Sequence, residues 1–134
     1  AEDDEWAAAI AGLLIEAAMA DGELDGSERA QVARILSAQP GLDATRVDRL
    51  IDEAVASHET RVEIHSLTRA IRAETDPEDR IAVLEMAWMV VMSDGEVHEY
   101  EAQLMRRLAG LLYVDDIESG RAAKRARARL EAAS

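Results

Sequence analysis

A chain of 134 residues without cysteine is long enough to bury the core of one ordinary domain, and it excludes disulfides, thiolate metal sites and cysteine nucleophiles. The formal charge of −13, from 15 basic and 28 acidic residues, argues against nucleic acid as a partner, because phosphate contacts need a positive surface. No stretch approaches the ~18 continuous apolar residues of a membrane span, and the longest apolar run, Met86 to Met92, is far too short.

The first predicted element is an amphipathic helix over residues 5–20, where Trp6, Ile10, Leu13, Leu14, Ala17 and Ala18 recur at three- and four-residue steps. A loop follows, and Asp25 with Glu28 has the spacing of a capping box for a second helix whose inner face is Val32, Ile35 and Leu36. Pro40 and Gly41 stop that helix. Asp43 caps a third, with Val47, Leu50, Ile51 and Val55 on one face, fading near Ser57 and His58. A fourth covers residues 60–73, lined by Ile64, Leu67, Thr68 and Ile71.

Asp76 and Pro77 open a fifth helix over 77–92, the acid as cap and the proline at the first helical position, where a missing N–H does no harm. Ile81, Val83, Leu84, Met86, Trp88, Met89, Val90 and Val91 leave it almost no polar side, which predicts the buried central helix. A sixth helix over 98–112 carries Leu104, Met105, Leu108, Leu111 and Leu112 on one face. Asp115 or Asp116 caps a seventh, over about 115–132, in which Ile117 and Leu130 have few apolar residues between them. Gly120 weakens it by roughly 1 kcal/mol relative to alanine, so loose or edge packing is expected. No window alternates with a two-residue period, and the class is all-α: one compact bundle of six or seven helices with no sheet.

Charge is uneven along the chain. Residues 121–130 hold Arg121, Lys124, Arg125, Arg127 and Arg129 without an acid, which leaves the remainder at −18. That segment reads either as a solvated helix whose cations pair with the acidic body or as a docking patch for an anionic partner. The acidic body favours protein partners with basic or mixed surfaces. Absence of cysteine fits a reducing compartment, and the acidic start AEDDEW is unlike a secretory signal, so a cytoplasmic location is expected, at most peripheral to the inner membrane through partners. Oligomeric state is left open.

The chain is organised around a repeat. AAMADGELDGSE at residues 17–28 returns as VVMSDGEVHEYE at 90–101, so that Asp21, Gly22, Glu23 and Glu28 fall on Asp94, Gly95, Glu96 and Glu101 at one constant offset of 73 residues. Solubility does not ask for the same acids at the same spacing around the same glycine. Each copy is the end of an apolar helix, a glycine turn and the acidic first turn of the next helix, giving repeat units of about 5–36 and 77–112 related by an approximate two-fold. The same offset lays residues 81–92 on 8–19, making the two apolar helices the equivalent pair.

Glu28 and Glu101 are favourable in a first helical turn whatever else they do, by about 0.3–1 kcal/mol. Asp21 and Asp94 are different, because they sit at helix C-termini where negative charge is unfavourable. A cation, or a cationic group of a partner, is the simplest reason for placing an acid there twice. The candidate metal set is Asp21, Glu28, Asp94 and Glu101, with Asp25 or His98 in support; carboxylates suit Ca²⁺ or Mg²⁺, and His98 in the place of Asp25 shifts the second copy toward Zn²⁺. The loop is not an EF-hand, since its twelfth position is Val32. His58 and His65 are separated by a break in the helical pattern and are not expected to share a ligand set.

MADGELDGSE and WMVVMSDGEVHEYEAQLMRRLAGLL resemble the paired motifs of the tellurite-resistance TerB-like family over about residues 8–125. The resemblance implies an all-helical domain, also related to the N-terminal part of membrane-anchored DnaJ-like co-chaperones. It implies a shared acidic site at Asp21, Glu28, Asp94 and Glu101 linked to cation binding, and a role as a bacterial stress-response or adaptor module; His98 opposite Asp25 departs from the pattern. The chain has no glycine-rich phosphate loop, nucleophile beside a base or zinc-binding H-E-x-x-H helix, so no enzyme is expected. The expected function is a non-enzymatic module that binds a divalent cation and contacts other proteins, the alternative being a structural, adaptor or co-chaperone-type domain without metal.

Overall fold

The computed structural model describes residues 2–19, 23–59, 64–93 and 95–133. Its described residues form seven helices and no strand: α1 (Glu2–Ala18), α2 (Gly26–Ser37), α3 (Ala44–Glu59), α4 (Ile64–Glu74), α5 (Pro77–Val91), α6 (Glu99–Leu111) and α7 (Asp116–Ala133). Each predicted helix is present. The helix starts follow the predicted caps: Asp43 accepts from the Arg46 amide at 2.8 Å and Asp76 from the Asp79 amide at 2.9 Å. At α7 the cap is Asp115, which accepts from the Glu118 amide at 2.8 Å.

α1 and α5 are the two elements that the others surround. α1 packs against α2, α3, α4 and α5, while α5 packs against α1, α2, α6 and α7. The repeat offset pairs their buried positions: Ile10 with Val83, Leu13 with Met86, Leu14 with Ala87, Ala17 with Val90 and Ala18 with Val91 are all core residues. Where the equivalent helices differ is what lies over them. At Gly12 the side chain of Leu67 from α4 comes so close that an added Cβ would meet it at 2.8 Å. At the equivalent Glu85, two arginines of α7 cover the helix instead.

That cover corrects the expectation that α7 packs loosely. α7 lies along α5 and buries Ser119, Ala122 and Ala126, small side chains that let the two helices approach closely without large apolar residues between them. Glu85, hidden in the apolar run of α5 and only 11% exposed, accepts from Arg125 Nε at 2.6 Å and from Arg129 Nη1 at 2.8 Å. Trp88 is half-buried, packs on the core and donates from Nε1 to Ser119 Oγ at 3.3 Å. Ile117, one of the two larger apolar residues of α7, is exposed. The basic segment therefore folds onto the acidic body through Arg125 and Arg129. No helix among the described residues is long and apolar enough to cross a membrane.

Candidate functional site

The helix starts that follow the two acidic turns carry equivalent capping glutamates. Asp25, in extended backbone at the start of α2, accepts from the Glu28 amide at 2.8 Å, and Glu28 Oε1 accepts from the Asp25 amide at 3.0 Å. This reciprocal box satisfies two amides that the first helical turn leaves without helical partners. At the start of α6, His98 holds the same extended conformation and its amide donates to Glu101 Oε1 at 2.9 Å. The Glu28 amide bond is the main cause that holds the Asp25 carboxyl below its ordinary value of 3.8.

The helix ends bring these caps to one place. A cleft of about 380 Å³ is walled by Asp25, Ser27 and Glu28 at the α2 start and Gln31 and Arg34 farther along that helix, by Val90, Val91 and Ser93 at the α5 end, and by Glu101, with Ala17 and Ala18 of α1 also lining it. Glu28 and Glu101, equivalent members of the repeat, thus face one space. Asp21 and Asp94 lie outside the described residues, as does Gly22. His98 is exposed, and its ring stacks on Tyr100 with centroids 5.5 Å apart and planes 8° from parallel. Among the described residues no group of three or more His, Asp or Glu is placed to hold a metal ion. A complete ligand set would therefore draw on Asp21 and Asp94 as well as the cap glutamates. Glu28 and Glu101 line that polar cleft with carboxylates, donors of the kind that suit a hard cation.

The family model described as tellurite resistance protein TerB matches residues 7–124, a span that includes both acidic turns. The chain belongs to the TerB family. A crystal structure of a protein of unknown function from Porphyromonas gingivalis W83 is similar, with a TM-score of 0.66 and 21% identity over 91% of this chain and 95% of that one. At that identity the likeness establishes a shared fold. No curated protein matches the chain.

Two features of this TerB chain lay beyond the sequence reading. Arg34 stands in the wall of the acidic cleft, its Nη2 donating to Gln31 Oε1 at 2.7 Å, so a cation already sits among the acids. Its helix position gave no sign of this, because the cleft is closed by α5 and α6, distant in sequence. Glu85 was the other. A lone acid in an apolar helix, together with arginines four apart in α7, is a signal that was present and unread. His58 serves structure: its Nδ1 lies 2.8 Å from Glu16 Oε1 and ties α3 to α1, while His65 is exposed on α4.

Proposed function

We propose that this TerB chain is a non-enzymatic stress-response module of the tellurite-resistance type that binds a divalent cation at its paired acidic turns and mediates contacts with other proteins. The observation that carries the reading is the meeting of Glu28 and Glu101 in one polar cleft, each from the same position of a repeat unit. Asp21 and Asp94 would complete the set from the adjoining turns, with Asp25 or His98 in support. Gathering carboxylates there is repulsive, and a divalent ion relieves the repulsion only in the folded arrangement, so binding and folding are linked. When bound, the cation would fix the two turns relative to each other; the chain's residues position it and its partners.

Calorimetric titration of the chelator-treated protein with Ca²⁺, Mg²⁺ and Zn²⁺ in turn tests the site. Heat with one ion, weakened by Asp21→Asn and by Asp94→Asn, is the expected result. No heat with any of the three would overturn the metal part of the proposal. Arg34 supports the second reading, a co-chaperone-type or adaptor domain without metal, because its guanidinium already offsets part of the charge of the cleft.

A further inference from the structure

The repeat reaches beyond the two helix pairs. α3 answers to α7, because their buried faces align at an offset of 72 residues: Val47 with Ser119, Leu50 with Ala122 and Ala54 with Ala126. α1, α2 and α3 thus have counterparts in α5, α6 and α7, whereas α4 has none among the described residues. α4 packs on α1 and α6, so the equivalent place in the second half lies on α5 and α2.

α4 shows what such a place takes. It runs antiparallel to α1: Ile64 shares a hollow with Glu16, Leu104 and Arg107, Leu67 reaches Gly12, and Ala70 shares a hollow with Ala8 and Ala9. The offset of 73 residues turns Glu16, Leu104 and Arg107 into Met89, Gln31 and Arg34, and those three line one hollow of about 330 Å³ where the first turn of an equivalent helix would lie. Ala8, Ala9 and Gly12 become Ile81, Ala82 and Glu85. Ala82 is exposed and Ile81 and Met89 are half-buried, so this stripe of α5 has no helix over it among the described residues. We propose that the stripe, with α7 beside it, is the seat for an acidic helix of a partner protein, set on α5 as α4 is set on α1. The proposal rests on the interaction part of the function proposed above and makes no use of the metal.

The internal copy sets the shape of the occupant, and charge sets its residues. At positions equivalent to Ile64 and Ile71 the partner helix is apolar, meeting Met89 at one end and Ile81 two turns away. Gly12 leaves room for Leu67, but its counterpart Glu85 fills that space with a carboxylate and the two arginines that hold it, so the partner carries a small residue there. Ser66 and Ala70 share a hollow with Glu53 and Ser57 of α3, whose counterparts at the offset of 72 are Arg125 and Arg129. The two equivalent residues of the partner therefore face two guanidiniums that share one carboxylate and remain about half exposed, at 47% and 52%. Acids at those positions complete the pairing that Glu85 leaves unfinished, and bases there are repelled.

The probe is a synthetic peptide with the sequence of Ile64–Glu74 carrying Ser66→Glu, Leu67→Ala and Ala70→Glu, held helical by a lactam on its outer face and labelled with fluorescein. It is titrated with the full chain in EDTA by fluorescence anisotropy, and amide shifts of the ¹⁵N-labelled chain locate it. Saturable binding is expected, with shifts centred on residues 81–89 and on α7. A peptide with lysine in place of both glutamates should bind about tenfold or more weakly. Ala82→Glu, at an exposed position, should weaken the acidic peptide as well. No saturable binding, equal binding of the lysine peptide, or shifts centred away from α5 and α7 would overturn the seat. A dimer in sedimentation velocity that Ala82→Glu dissolves would also overturn it, because the face would then belong to a second copy. Should Ala82→Glu lower the melting temperature, the lysine peptide and the shift map decide. With EDTA present throughout, failure of the metal titration leaves this result unaffected, and loss of the seat leaves the metal titration standing.

Discussion

Asp25 and Tyr113 show how single side chains set the turns. The Asp25 carboxyl is held below its ordinary value, chiefly by the Glu28 amide, so its folded form is favoured when ionised. The sign follows: the stabilisation is fully present above the unfolded value near 3.8 and is lost as pH falls through the lower folded value. Asp25→Ser, a neutral cap, should therefore differ from wild type in denaturant stability by a constant amount between about pH 5 and 8, and the gap should narrow below about pH 4. Tyr113 takes the left-handed position after α6, with φ 59°, where glycine is usual. The amides of Tyr113 and Val114 donate to the carbonyls of Gly110 and Ala109 at 3.2 and 2.9 Å, closing the helix end. Arg72 lies 4.6 Å from the tyrosine ring centroid and donates to the Leu111 carbonyl, which fixes the side chain over that end. Tyr113→Gly should be nearly neutral, within about 1 kcal/mol by thermal melting, because relief of about 1–2 kcal/mol of backbone strain is offset by the lost cation–π contact and the freer unfolded chain.

At the scale of elements, α7 is held by a clamp whose partners are unequal. Glu85 is nearly buried, whereas the side chains of Arg125 and Arg129 are about half exposed, at 47% and 52%. Removing the acid lets the arginines turn to water, but removing both arginines strands the α5 carboxylate beneath α7. Arg125→Ala with Arg129→Ala should therefore cost about 3–5 kcal/mol in denaturant unfolding, and Glu85→Leu considerably less. Ala122→Leu should cost about 1–3 kcal/mol, since that side chain on α7 is fully buried. Helices and caps were legible because they are local: Asp43, Asp76 and Pro77 announce starts, and the apolar spacing of α1 and α5 announces their depth. The docking of α7 was not legible, because alanines carry no strong apolar signal and the buried acid that completes the interface is 40 residues from its first arginine. The same limit hid Arg34. The cap glutamates were found since a repeat marks equivalent positions regardless of what closes over them.

For the whole molecule the dominant fact is a charge of −13 on one chain, with the cations of α7 partly engaged on Glu85. Self-repulsion of this size destabilises the folded state, and salt screens it over a Debye length of about 8 Å at physiological ionic strength. Raising NaCl from about 10 to 150 mM should lift the melting temperature by roughly 2–5 °C, corresponding to about 1 kcal/mol for a chain of this length. Any divalent salt would do this much without a site. A bound cation adds a separate contribution, about 2.7 kcal/mol at a hundred times its Kd, which exceeds the screening effect. The comparison that isolates it is CaCl₂, MgCl₂ or ZnCl₂ against NaCl at equal ionic strength. One of the three should raise the melting temperature beyond the NaCl curve, and Asp94→Asn should remove the excess while leaving the NaCl response nearly unchanged. Superimposed curves for all the salts would mean that the acids of the two turns act through screening and capping alone.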